Sequence, residues 1–133
     1  MKYLLDTHTL LWALNAPEKL DDVVRTIISN DDNEIFYSIV TPWEIEIKHN
    51  KHPKEMPITG TVLIQSLQDY GITLLNIKPK HIEALASLNE KENNKHSDPF
   101  DRMLLAQAKS ECIPLITHDK QFRNYDELYL LRF

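Results

Sequence analysis

The chain carries one cysteine, Cys112, in 133 residues. No disulfide can close within it, and a cysteine-built zinc site is excluded. A lone cysteine also suits a reducing compartment. Glycine is almost as scarce, with only Gly60 and Gly71. Neither lies in a run that could cradle phosphates, which excludes a P-loop and a dinucleotide-binding fingerprint. Long apolar runs are missing as well. The longest, Leu10 to Leu14, is far too short to cross a bilayer, and Asp6 interrupts the N-terminal apolar run too early for a secretory signal. A soluble, cytoplasmic protein without membrane contact is expected. Nor is there an excess of positive charge. Twenty acidic residues face 15 basic ones, a net charge of −5, so any nucleic-acid contact must be local rather than a general basic coat.

What is present reads as one globular domain over residues 1–133, with 42% apolar and 26% charged residues. There is no linker, internal repeat or low-complexity segment. Residues 2–6 have the composition of a short buried strand, and Leu10, Leu11 and Leu14 take helical spacing before Pro17. Asp21-Asp22 opens a second helix with the apolar stripe Val23, Val24, Ile27 and Ile28. Residues 34–40 are β-branched and aromatic, which favours a strand. Thr41-Pro42-Trp43-Glu44 has the form of a helix start, with Thr as cap, Pro in the first position and Glu in the third. That helix is expected to reach about Lys51. Further helices are expected over Gly60–Tyr70 and Lys80–Lys91, with a strand at 72–77 between them.

Asp98-Pro99-Phe100-Asp101 repeats the helix-start pattern and opens a helix to about Glu111. Strands at 113–117 and 128–133 flank a polar turn at 118–125. Trp12, Trp43 and Phe100 are expected in the core. Strands alternating with helices imply an α/β protein, a three-layer α/β/α sandwich around a parallel sheet of four to five strands.

In open parallel sheets, ligands bind beyond the carboxyl ends of the strands. Asp6 ends the first strand, Asp119 follows the fourth, and Glu44 and Asp101 sit in first helical turns. Each has an ordinary structural use. Acids in a first turn complement the helix dipole, Asp98 before Pro99 suits a helix cap, Asp6 can cap the next helix, and Asp119 can hold a turn. Their convergence is what needs explaining. Two like charges about 4 Å apart repel by about 4 kcal/mol at an effective dielectric near 20. A divalent cation relieves that cost, and it can activate water for attack on a phosphodiester.

The segments Leu4-Leu5-Asp6-Thr7-His8, Trp43-Glu44-Ile45, His96-x-Asp98-Pro99-Phe100-Asp101-Arg102-x-Leu104-x-Ala106-Gln107-Ala108 and Ile116-Thr117-His118-Asp119 resemble the PIN-domain family, and more narrowly the VapC-type toxins of toxin–antitoxin pairs. The resemblance spans essentially the whole chain, in the family's order of motifs, and its most specific part is His-x-Asp-Pro-Phe-Asp-Arg. It implies a PIN-like fold and an endoribonuclease dependent on Mg²⁺ or Mn²⁺, with Asp6, Glu44, Asp101 and Asp119 as both catalytic and metal-binding acids. Asp98 ranks below Asp101 as a ligand. Thr7 and Thr117 match positions that help hold the water or the acids. An RNA substrate, a cognate antitoxin and a homodimer are the implied partners.

Three other features complete the reading. Lys48-His49-Asn50-Lys51-His52-Pro53-Lys54 is the densest basic stretch, either a solvated helix end or an RNA-backbone contact through Lys48 and Lys51. His49 and His52 lack an obvious third ligand for a metal site. Arg102 meets a phosphate, pairs with a site carboxylate or makes an ordinary surface ion pair, and His96 flanks the same acidic pair. Two competing functions are a catalytically inactive PIN-like domain that binds RNA or protein, and a phosphotransfer domain with Asp6 as nucleophile. The full acidic set argues against the first. His8, where the second acid of an Asp-x-Asp pattern would stand, argues against the other.

Overall fold

Strands and helices alternate along the chain in this computed structural model, which describes residues 1–90, 98–125 and 127–133. The elements are β1 (Lys2–Leu5), α1 (Thr7–Asn15), α2 (Asp22–Ser29), β2 (Glu34–Ser38), α3 (Val40–Lys51), α4 (Gly60–Asp69), β3 (Thr73–Leu75), α5 (Pro79–Leu85), α6 (Pro99–Glu111), β4 (Leu115–Thr117) and β5 (Leu130–Arg132), with 3₁₀ turns at Pro17–Lys19 and Lys120–Asn124. All the strand pairings are parallel, in the order β3-β2-β1-β4-β5.

The period of two along each strand sorts its side chains between two cores. Leu5, Ile35, Tyr37 and Ile116 face α1 to α4, where Leu10, Val24, Ile45, Leu63 and Leu67 are buried. Leu4, Phe36 and Leu115 face the opposite way, against Leu104, Leu105 and Ala108 of α6. The expected α/β/α sandwich is therefore present, with its sheet at the upper end of the anticipated strand number. From the central β1 the chain builds β2 and β3 on one side, and β4 and β5 later on the other. The strand order reverses between β1 and β4, so a crevice opens at their carboxyl ends.

Gly60 brings α4 against α3. A Cβ at this position would stand 2.6 Å from the Pro42 carbonyl oxygen, and the Gly60 N–H donates to Glu46 Oε1 at 2.9 Å.

The structure corrects several boundaries. α3 begins at Val40, and Thr41 does not cap it, because the chain enters helical geometry already at Ile39. The Thr41 side chain is buried instead, so Glu44 falls in the second turn rather than in a capping box. α5 ends at Leu85 rather than near Lys91, which lies outside the described residues. There the chain turns toward α6, giving the Ser87 carbonyl to Lys109 Nζ (2.6 Å) and the Asn89 N–H to Glu127 Oε1 (2.7 Å). Trp43 is not a core residue. It is 59% exposed, with its ring edge against Phe100 at 5.1 Å.

Candidate active site

The crevice is a cleft of about 230 Å³ lined by Asp6, Thr7, His8, Glu44, Lys48, Asp98, Asp101, Asp119 and Gln121. All the acids proposed from the sequence, Asp98 included, therefore meet in one place. They come from four separate parts of the chain, each delivered by a different local device.

Asp6 follows β1 and caps α1. Its Oδ1 accepts the Thr9 N–H at 2.9 Å, and its Oδ2 accepts a short hydrogen bond from the Thr117 hydroxyl at the end of β4. Its own N–H donates to the Ile116 carbonyl at 3.1 Å, which locks the two strand ends together. Asp6 is 3% exposed, and burial raises its carboxyl above the usual range despite these hydrogen bonds. Glu44 is held at both oxygens. Thr7 donates to Oε1 at 2.8 Å, and Lys48, one turn further along α3, pairs with Oε2 at 2.9 Å. The Thr41 hydroxyl meets that of Thr7 at 3.3 Å.

Asp98 is the cap of α6, as expected, with Oδ1 accepting the N–H groups of Phe100 and Asp101 at 2.9 and 3.1 Å. Asp119 caps the following 3₁₀ turn by accepting the Gln121 N–H at 2.9 Å, and its own N–H is held by the Thr117 hydroxyl at 2.9 Å. Thr117 thus binds acids from both sides of the strand reversal.

Asp101 is the most perturbed acid. Its carboxyl is pushed up to about 8, first by burial and then by the charges of Asp98, Asp119, Glu44 and Asp6. A helix N-terminus normally favours the charged carboxylate, so desolvation and like charges outweigh the dipole here. Among the described residues, no group of three or more His, Cys, Asp or Glu side chains is disposed to hold a metal ion as it stands. The donors are nonetheless all hard oxygens, and Mg²⁺ usually takes one or two carboxylates and retains its other waters.

The cations divide differently from the sequence reading. Lys48 reaches the cleft but is engaged by Glu44. Lys51 lies outside it, beside His52, Pro53, Lys54 and Glu55. Arg102 does not line the cleft; its guanidinium pairs closely with Glu90, the ion-pair alternative, and also donates to Tyr125 Oη at 3.3 Å. His49 is held by the Met56 carbonyl at 2.8 Å. His96 lies outside the described residues. Sequence reasoning missed Gln121, which carries no motif signal, and the role of Thr41, which lies one helical turn before Glu44 and was assigned to capping. A second, more apolar cavity of about 420 Å³ adjoins the cleft and shares Thr7, His8 and Lys48 with it.

Residues 3–128 match the family described as the PIN domain. No curated protein sequence gives a significant match. Among solved structures, the chain is similar to VapBC2 from Rickettsia felis bound to a DNA fragment from its promoter, at 18% identity and a TM-score of 0.71, covering 99% of this chain and 98% of that one. It is also similar to DNA-bound VapBC from Salmonella typhimurium (13% identity, TM-score 0.68, covering 99% and 98%). The structure of VapBC-5 from Mycobacterium tuberculosis, a member of a family of toxin–antitoxin systems, gives 18% identity and a TM-score of 0.66 over 98% and 96% of the two chains. At these identities the likeness is one of fold.

Proposed function

The chain belongs to the PIN-domain family, and from that premise we propose that it is a metal-dependent endoribonuclease, the toxin of a VapBC-type toxin–antitoxin module. The observation that carries the reading is the cleft in which Asp6, Glu44, Asp101 and Asp119 meet, with the Asp101 carboxyl raised to about 8 by burial and by its acidic neighbours. Such an arrangement costs stability unless positive charge enters it, and perturbed acids cluster at functional sites.

Mg²⁺ or Mn²⁺ fits the oxygen-only donor set, with Asp6, Glu44, Asp101 and Asp119 as holding residues and Asp98 as a secondary one. A cation bound there supplies Lewis acidity toward the phosphodiester and lowers the pKa of water. The rest falls to the protein. Thr117 and the Thr9 N–H fix both oxygens of Asp6, and Thr7 and Lys48 fix those of Glu44, so these carboxylates face the cleft without having to reorganise. Burial and the neighbouring acids hold the Asp101 carboxyl high, and a cation held by these residues would favour its ionised form.

The decisive experiment is RNA cleavage by the purified protein with Mg²⁺ or Mn²⁺, in EDTA, and with Asp6→Asn. Cleavage only with metal, reduced on the order of 10³-fold or more in the variant, is expected. Equal activity in EDTA or in Asp6→Asn would overturn the reading.

The VapBC likeness supports a cognate antitoxin, testable by co-purification with the product of a neighbouring short reading frame. The resemblance further implies a homodimer, which light scattering tests. Action in the cytoplasm accords with the absence, among the described residues, of a helix long and apolar enough to cross a membrane.

A further inference from the structure

Next to the acidic cleft lies a cavity of opposite character. It encloses about 440 Å³ and is lined by His118, Asp119, Lys120, Arg123, Arg132 and Phe133. Asp119 lines both cavities, so the two are neighbours. The sequence placed the basic contacts elsewhere, but Lys48 is engaged by Glu44 and Arg102 by Glu90. Lys120, Arg123 and Arg132 are all exposed and make no ion pair among the described residues. In a chain of net charge −5, three unneutralised cations around one cavity are a local departure from the rest of the surface.

The fold assembles this cavity through the same residues that build the cleft. Asp119 caps the 3₁₀ turn that carries Lys120 and Arg123. Arg132 on β5 is in register with Thr117 on β4, whose hydroxyl holds Asp6. The Phe133 N–H donates to the Thr117 carbonyl at 3.0 Å, and its ring lies 6.0 Å from that of His118. His118 meets the Thr9 hydroxyl through Nδ1 at 3.0 Å, while its buried Nε2 has no hydrogen-bond partner among the described residues. Cations placed beside an exposed aromatic ring are the combination that holds single-stranded nucleic acid, phosphates on the cations and a base on the ring.

We propose that the cavity of Lys120, Arg123, Arg132 and Phe133 is the subsite for the RNA phosphates that flank the scissile bond. The proposal rests on the ribonuclease reading above. It assigns the division of labour: the acidic cleft repels a bare phosphate backbone until a cation enters, and the basic cavity beside it supplies the attraction that seats the strand. Single-stranded RNA is the substrate class, because the ring of Phe133 can receive a base only from an unstacked strand.

The test uses the full chain with Lys120, Arg123 and Arg132 all changed to Gln, and the pair Lys120→Gln/Arg123→Gln in case the β5 change disturbs folding. Thermal melts establish the fold, and Lys19→Gln controls for loss of a distant charge. The probe is a labelled oligouridylate of about ten nucleotides, long enough for a typical single-strand site. Binding is measured on the Asp6→Asn background with Mn²⁺ across a salt series, and cleavage on the native background.

The expected result is at least tenfold weaker binding, with the loss in cleavage falling on KM more than on kcat. The slope of log affinity against log salt should flatten by about 0.7 per phosphate contact removed. Unchanged KM and salt slope in a folded triple variant would overturn the subsite while leaving the ribonuclease reading intact. If the variant instead loses only its antitoxin, the cavity serves an acidic protein segment and the RNA assignment is wrong. Absence of metal-dependent cleavage in the unmodified protein would be a failure of the ribonuclease reading itself.

Discussion

The two ends of α6 hold carboxylates whose environments have pushed them in opposite directions. At its start, Asp101 is raised to about 8 by burial and by the acids around it. At its end, Glu111 is lowered to about 2, chiefly by the hydrogen bond to His81 and then by Lys80 and Lys78. His81 Nε2 lies 2.9 Å and Lys80 Nζ 3.0 Å from Glu111 Oε1. The helix dipole alone would favour the reverse, a low value at the N-terminus and a high one at the C-terminus. Neighbouring groups win at both ends. Glu111 is surrounded by donors and stabilises the junction of α5 and α6. Asp101 stands among acids that, after burial, hold its carboxyl high, an environment opposite in kind to that of Glu111.

The sharpest way to break this contrast is to remove each acid in turn. Asp101→Asn should reduce RNA cleavage on the order of 10³-fold while raising the melting temperature of the metal-free protein at pH 7 by several degrees. A fall in melting temperature would show that Asp101 is structural after all. Thr117→Val removes the hydroxyl that holds Asp6 and the Asp119 N–H. Cleavage should then drop roughly 10- to 100-fold, the usual effect of losing a supporting hydrogen bond at a metal site, as read by single-turnover rates.

Glu111→Gln should leave cleavage per folded molecule unchanged and lower stability by about 1–3 kcal/mol, because the buried His81 loses a charged partner. A denaturant melt reads this directly, and a loss of activity beyond the unfolded fraction would erase the distinction between the two ends.

The pH profile reads these acids together. A raised carboxyl binds its proton more tightly in the folded state, so Asp101 contributes most below 3.8, and this contribution is lost as pH rises through about 8. Asp6 shifts in the same direction. Glu111 behaves oppositely, contributing above 4.5 and losing its contribution as pH falls through about 2. Between about pH 4.5 and 8, the metal-free protein should therefore melt at progressively lower temperature as pH rises. Asp101→Asn should flatten that slope, and saturating Mn²⁺ should oppose it. A native slope identical to that of the variant would remove Asp101 as its source.

Much of this was legible in the sequence because it depends on local pattern. The buried-strand composition of residues 2–6, the Asp-Pro cap of α6 and the acids at strand ends all announce their positions. Features set by contacts between distant segments were not legible. Thr41-Pro42-Trp43-Glu44 imitates a capped helix start, yet helical geometry begins before it and frees Thr41 to meet Thr7. Arg102 read as an available charge until the fold brings Glu90 to it, whereas the Glu44–Lys48 pair, one turn apart on α3, was local and open to a sequence reading. Trp43 looked apolar enough for the core, but α3 turns it outward. The cations flanking the cleft went unnoticed because Arg132 and the pair Lys120 and Arg123 meet only through the pairing of β4 with β5.

The bond between Thr117 and Asp6 joins residues 111 positions apart in the chain. The cleft thus joins earlier segments, which carry Asp6 and Glu44, to later ones, which carry Asp98, Asp101 and Asp119. A nascent chain carries Asp6 and Glu44 long before β4 exists to complete the pocket around them. Such a long-range closure is entropically slow to form, so the cleft is complete only once β4 is in place. In a PIN-domain nuclease, this topology delays the assembled cleft until β4 has docked against β1.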